Sequence, residues 1–322
     1  MFGYICARET SKKKRRDGML VTEIECRATA PLFIAGADTR NPEMRAASIK
    51  GVMRYIWRAV QCASNVKSLR DAESRLFGST DENRTTISQL KLQVVEEEKV
   101  VGKENMVPHR ALYDEYNGNG RPFSSEAIKE NSTVIVRIIT NSGVSKEQHY
   151  KYVCLFVLTT ILIGFGRRSR KGMGTVAVES IAGDAGNVNF KVEKLQDLLP
   201  LLKVISEMGA VYYVDDCGVW SKPEGEPFNY PHIEKIYIWK PLSDNIRPIH
   251  ITEQIGLSTH EFHNAVFTGN TKSESRFASS ILMSTTGYEN SAAVITCLKC
   301  IRDYDEVERN NFLDDLYRRI VR

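Results

Sequence analysis

Apolar and polar residues alternate through Leu20-Val-Thr-Glu-Ile-Glu-Cys-Arg-Ala, the period of a strand with one buried face. Pro31 closes it, and PLFIAGADTRNPEMRAAS reads as an irregular loop with Gly36, Asp38, Asn41 and Pro42 as turn residues. The period then changes. With Ser48 placed as an N-cap, Ile49, Val52, Met53, Ile56, Trp57 and Val60 recur at the i, i+3, i+4 spacing of an amphipathic helix. A second helix, NVKSLRDAESRLFGS, carries Val66, Leu69 and Leu76 and stops at Gly78. ISQLKLQVVE and STVIVRIIT read as strands on either side of a long polar loop containing Asn117-Gly-Asn-Gly-Arg-Pro. An apolar helix is predicted over 146–163, then the glycine-rich GFGRRSRKGMGTV and a strand over 174–181. The order β, α, two strands, α, β is that of a ferredoxin-like unit with insertions, a frame also used by sheet-based RNA binders.

After the turn-rich IAGDAGNVN the pattern is coarser. It suggests a helix over 191–208, a loop at CGVWSKPEGEPFNYPH, and strands at IEKIYIWKP, SRFASSILMSTT and SAAVITCLKC. EVERNNFLDDLYRRIVR reads as an amphipathic helix. The fold class expected is therefore α+β, with two tandem ferredoxin-like (RRM-like) domains carrying insertions. Residues 1–18 read as a disordered basic arm, 19–185 as the first domain with the glycine-rich loop, and 186–322 as a second, degenerate one. A length of 322 residues agrees with two domains.

Charge changes this picture less than the formal +4 suggests. Arg8 and the run Lys12 to Arg16, set against Glu9 and Asp17, account for all of it, so the chain from Met19 onward is neutral. A polyanion partner has to be read from local clustering. The arm lacks the apolar stretch of a secretory signal. The apolar run YVCLFVLTTILIG is shorter than the roughly 20 residues a membrane span requires. Seven scattered cysteines suggest reduced thiols in a cytoplasm. Cys297 with Cys300, and His260 with His263, are each half of a zinc ligand set. They read as core cysteines and loop histidines, with a joint zinc site as the alternative. No cofactor or metal is expected.

Three features carry candidate chemistry. In the first, Gly164, Gly166, Gly172 and Gly174 allow close backbone approach, while Arg167, Arg168, Arg170 and Lys171 supply charge. This segment reads equally as a phosphate cradle or as an exposed basic turn. It is no Walker loop, because Lys171 is followed by Gly-Met-Gly and a strand. The second feature is the loop with Arg40 and Arg45 and the helix start with Ser48, Lys50 and Gly51, continued by Arg54 and Arg58 on one face. Helix N-termini attract phosphate, and nine cations face four acids between Arg27 and Arg75; a capped helix with solvated cations is the other reading. The third is Asp38, a turn residue or, as the minority reading, a catalytic carboxylate. The histidines read as surface or loop residues.

Together, PLFIAGADTRNPEMRAASIKGVMRYIWRAV and GFGRRSRKGMGTV resemble the RAMP superfamily of CRISPR-associated RNA-binding proteins. Within it, the Gly-Ala-Asp loop, the Pro-Glu-Met-Arg step and the Ser-Ile-Lys-Gly helix start are similar to the first-subunit family of type III-B (Cmr) effector complexes. The resemblance is carried by the residues around 30–57 and 161–178, with Ser275-Arg-Phe-Ala-Ser-Ser-Ile-Leu a weaker echo. It implies a non-catalytic subunit that binds guide (CRISPR) RNA and target RNA beside other RAMP subunits. It also implies an alternative, an endoribonuclease, because related backbone subunits cut RNA with an aspartate placed as Asp38 is.

Overall fold

The structure is a computed structural model describing residues 18–36, 38, 40–81, 84–107, 124–262, 265–269, 277–287, 290–299 and 303–322. The basic run Lys12 to Arg16, His263, Cys300 and the first two residues of the Ser275 motif, Ser275 and Arg276, lie outside the described residues. The chain is mixed α and β.

The first sheet is formed by β1 (Leu20–Ala28), β4 (Leu90–Glu98), β7 (Thr133–Thr140) and β8 (Val176–Gly183), in the order β4-β7-β1-β8 with all neighbours antiparallel. Helix α1 (Ala46–Val60) connects β1 to β4, and α3 (Lys146–Leu162) connects β7 to β8. The insertions are α2 (Val66–Phe77), the hairpin β2 (Ser79–Asp81) with β3 (Arg84–Thr86), and β5 (Val101–Asn105) paired with β6 (Ser124–Ile128). The last pair was expected to be loop; its few apolar residues are too sparse to show a period.

The second sheet is ordered β12-β13-β11-β10-β9. Its strands are β9 (Ala210–Asp215), β10 (Gly218–Pro223), β11 (Ile233–Trp239), β12 (Ile281–Thr286) and β13 (Ala292–Leu298). Helix α4 (Leu198–Ile205) precedes β9, α5 (Pro248–Glu261) joins β11 to β12, and α6 (Glu306–Val321) ends the described chain. Sequence patterning misses three of these elements. β10 lies inside the segment read as a loop, β9 inside the stretch between it and the expected helix, and α5 falls where no element was expected. The 191–208 helix contracts to α4 after a short 3-10 turn (Leu195–Asp197).

Helix α3 explains how the halves fit. Twelve of its seventeen residues are buried, on every side, as expected of a helix surrounded by protein. It packs on β1, β7 and β8 below and on β12 and β13 above. One apolar cluster consequently runs from Ile24 and Val136 through Phe156 to Leu282 and Val294. The opposite face of the second sheet holds α5 and α6 through Ile255, Met283, Ile295, Phe312 and Leu316. The layers are sheet, helices, sheet, helices. Strand β13 is buried along its whole length, which accounts for its unbroken apolar AAVITCL.

The expected surface histidines include two buried ones. His149 sits between Thr22 Oγ1 (2.8 Å from Nε2) and Thr140 Oγ1 (3.0 Å from Nδ1). His232 has Nδ1 3.0 Å from Tyr230 O. Burial holds both imidazoles below the ordinary histidine pKa. His260 lies on α5, and not in a loop. Cys297 is buried in β13. Among the described residues no group of three or more His, Cys, Asp or Glu is placed to hold a metal.

Candidate nucleic-acid interface

Beyond α3 the glycine-rich backbone folds on itself. Gly164 N donates to Ser169 O (3.2 Å), Phe165 N to Gly174 O (2.8 Å) and Lys171 N to Arg168 O (2.8 Å). It also grips both neighbours. Arg167 N donates to Phe33 O (2.9 Å) and Gly174 N to Pro31 O (3.1 Å), both in the loop after β1. Gly172 N donates to Met283 O (2.9 Å) and Met283 N to Arg170 O (3.1 Å), so Lys171 adds a parallel bridge to β12. Thr252 Oγ1 on α5 donates to Gly172 O (3.2 Å).

This close packing is why glycine is needed. A Cβ on Gly174 (φ +70°) would stand 1.9 Å from Phe165 O, and one on Gly166 (φ +89°) would stand 2.6 Å from Phe33 O. Both the left-handed backbone and the contact exclude a side chain. Six of the segment's N–H groups are held by protein carbonyls, so they do not form an open anion cradle. The loop ties the two sheets to the loop after β1.

What remains for a ligand is side-chain charge at the tip. Arg170 is engaged: Nη1 donates to Ser279 O at 2.5 Å, and the guanidinium lies 4.7 Å from the Tyr55 ring centre. Arg167 is exposed, whereas Arg168 and Lys171 are half-buried. None of these three side chains has a carboxylate or carbonyl partner among the described residues. Arg168 adopts the left-handed region at φ +56°. Burial, aided by the Arg168 charge, pushes the Lys171 ammonium down to about 8. Burial also depresses Arg168. Two desolvated like charges without an anion destabilise each other, and a phosphate would relieve both.

The loop after β1 touches this tip, so the two basic features of the sequence do meet. Arg40 extends from that loop with no side-chain partner among the described residues. Asp38 serves the loop itself: Oδ1 accepts from Arg40 N (2.9 Å) and Oδ2 from Asn41 Nδ2 (2.6 Å). Arg45 lies 3.3 Å from Glu43, both half exposed, which makes a weak pair.

The helix that follows departs from expectation. α1 starts at Ala46 with Arg45 in the N-cap position and no capping side chain, so Ser48 is inside the helix and not its cap. Its cationic stripe faces protein. Lys50 Nζ donates to Ser88 Oγ (2.5 Å) and Leu90 O (3.1 Å). Arg54 Nη2 donates to Phe77 O (3.1 Å) and Gly78 O (2.8 Å), neutralising the carbonyl end of α2. Arg58 Nη1 reaches both oxygens of Glu73 at 3.0 Å. These three cations position α2 and β4. Sequence reasoning also missed Tyr55, the half-buried platform for Arg170; an aromatic beside the cationic stripe was its only signal.

The outer face of the first sheet is no substitute surface. Glu23 bonds Arg137 (2.6 Å), Arg27 grips Glu179 through two 2.8 Å contacts, and Ser180 bonds Glu25 (3.0 Å). That face carries paired acids where a base-stacking sheet carries aromatics.

Residues 25–177 match the model of the RAMP superfamily, spanning β1 through the glycine-rich loop. That match covers just under half of the chain. A curated relative, the CRISPR system Cmr subunit Cmr1-2 of Pyrococcus furiosus, is 25% identical over 173 residues, 48% of this chain and 92% of that protein. The chain shares its fold, over nearly all its length, with solved Cmr proteins. The crystal structure of apo Cmr1 from Pyrococcus furiosus aligns over 93% of this chain and 97% of that one, at 14% identity and a TM-score of 0.56. A chain of the type III-B Cmr-beta complex bound to cognate target RNA aligns over 94% of this chain and all of its own length, at 12% identity and a TM-score of 0.60. No helix among the described residues is long and apolar enough to cross a membrane.

Proposed function

We propose that this chain is an RNA-binding, non-catalytic subunit of a type III-B CRISPR (Cmr) effector complex, helping to hold guide RNA for capture of complementary target RNA. The observation that carries the reading is the pair of half-buried cations Arg168 and Lys171, without an anionic partner among the described residues. Arg167 is exposed on the same loop, and Arg40 lies on the loop after β1, which backbone hydrogen bonds at Pro31 and Phe33 join to it. The likeness to Cmr proteins supports RNA and neighbouring RAMP subunits as partners, in the cytoplasm. Residues 19–185 and 186–322 then correspond to two ferredoxin-like halves. In the first, the strand order β4-β7-β1-β8 supports this. In the second, β10 stands where a strand after α6 would lie.

The ribonuclease alternative through Asp38 is disfavoured, because both carboxylate oxygens are engaged in the turn around Arg40 and Asn41. One paired experiment tests both readings. Single-stranded RNA binding is titrated against salt for the natural chain and for the Arg167→Ala, Arg168→Ala, Lys171→Ala triple variant, with a cleavage control. The salt dependence should flatten by about 0.7 in log–log slope for each phosphate that the variant no longer neutralises. An unchanged slope would overturn the proposed surface. RNA cleavage abolished by Asp38→Asn would overturn the non-catalytic role.

A further inference from the structure

On the second sheet, far from the RAMP motifs, a cleft of about 540 Å³ opens between β11, the turn linking β9 to β10, and α6. That volume suits a small organic ligand. On one side lies Lys235, only 8% exposed. Its Nζ stands 3.6 Å from the centre of the Trp220 ring and 4.3 Å from that of Tyr237. Among the described residues its ammonium has no hydrogen-bond acceptor and forms no ion pair within 4 Å; Asp215 and Glu234 act on it only from further away. The adjacent Glu234 is held by Arg309 at 2.8 Å. Two aromatic faces attract an ammonium but accept none of its protons in conventional hydrogen bonds. A buried donor lining a cleft points to a ligand with an acceptor.

The walls narrow the chemistry. Trp239 contacts Tyr237 (5.3 Å between ring centres) and meets Tyr317 edge-on (5.5 Å), continuing the aromatic surface. Tyr317 is 46% exposed. Asp216 and Asp314 line the same cleft, exposed and with no side-chain partner among the described residues. Two carboxylates set against the two lysines of the lining, Lys235 and the exposed Lys240, leave no net positive charge for a phosphate, yet they accept hydrogen bonds from amino and imino groups. An aromatic ligand bearing both a carbonyl and N–H donors satisfies all three groups. Guanine has that combination: its O6 and N7 accept, and its N1–H and N2–H donate.

We infer that this cleft is a guanine-binding site, in which the base stacks on the Trp239–Tyr317 surface, accepts from Lys235 and donates to Asp216 or Asp314. The guanine comes either from a free nucleotide or from an unpaired residue of an RNA strand. The site is separate from the glycine-rich loop and does not rest on it.

The cleft holds its own reporters. Two of the three tryptophans, Trp220 and Trp239, adjoin it, and the exposed Cys217 thiol lines it. GMP should quench tryptophan fluorescence saturably and slow iodoacetamide alkylation of Cys217, read by peptide mass mapping. AMP should bind roughly tenfold more weakly, the discrimination that a mismatched hydrogen-bonding edge produces. Lys235→Met and the surface substitution Asp314→Asn should each weaken GMP by about tenfold without changing the circular dichroism. The Arg168→Ala, Lys171→Ala variant should bind GMP as the natural chain does. A short oligoribonucleotide with a single guanine identifies the source: protection much stronger than by GMP assigns an RNA base, and equal protection a free nucleotide. Three results would overturn the inference: no protection of Cys217 by any guanine ligand, equal GMP and AMP affinities indifferent to both substitutions, or protection by an arginine-rich peptide instead of GMP.

Discussion

The cations of α1 and those of the glycine-rich loop look alike in the sequence and have opposite fates in the fold. Lys50, Arg54 and Arg58 recur along one helix face, and each finds a carbonyl, hydroxyl or carboxylate on α2 or near β4. Arg167, Arg168 and Lys171 stand on a backbone so fully engaged that it holds them rigidly, yet their side chains find no partner among the described residues. Regular spacing on a helix brought three cations to a neighbour that could use them. An irregular, tightly closed loop kept the others free. The difference separates charge that stabilises this protein from charge that, in the proposed function, is available to RNA.

The sharpest break of this comparison attacks the loop's rigidity. Gly174→Ala should destabilise the chain by about 3 kcal/mol or more, since a positive φ and a backbone clash act together; urea denaturation measures it. Next, Arg58→Ala should lower stability by about 1 kcal/mol by removing its ion pair with Glu73 while leaving the salt dependence of RNA binding intact. The Arg168→Ala, Lys171→Ala variant should do the reverse, losing RNA affinity with stability retained or increased. If both variants behave alike, the division between structural and binding cations is wrong.

Lys171 adds a pH signature. Its folded, RNA-free pKa lies near 8, below the ordinary lysine value. An RNA phosphate favours the charged form, so binding takes up a proton. Affinity should therefore be highest below pH 8 and fall as pH rises above it; Lys171→Arg, which stays charged, should abolish that fall. Fluorescence anisotropy between pH 7 and 9 tests this.

The smallest effect belongs to the buried His149. Its folded pKa is depressed, so the unfolded chain binds the proton more readily, and stability should decline as pH falls below about 6.5. His149→Gln should make the decline shallower in thermal melts at pH 5 and 7. An unchanged decline would assign the acid sensitivity to other groups.

Alternation and helical spacing by themselves determined β1, α1, α2, β4, β7 and α6, because each of these segments keeps one period long enough to show a buried face; α3 was legible instead as a long apolar run, since it is buried on every side. They failed at β9, β10 and α5. VYYVDDCGVWSKP mixes aromatic, charged and turn residues, because the outer face of that hairpin is only partly covered. α5 begins at Pro248, and its buried face includes Thr252, Gly256, Ser258 and Thr259, which carry no apolar signal. Clustered charge singled out two loops, and their contact in space agrees with reading them together. Which cations were free was a tertiary matter, since a lysine's partner on another element leaves no trace in its own neighbourhood. The same holds for Lys235: only the pairing of β10 with β11 sets its ammonium between Trp220 and Tyr237 at the side of a cleft.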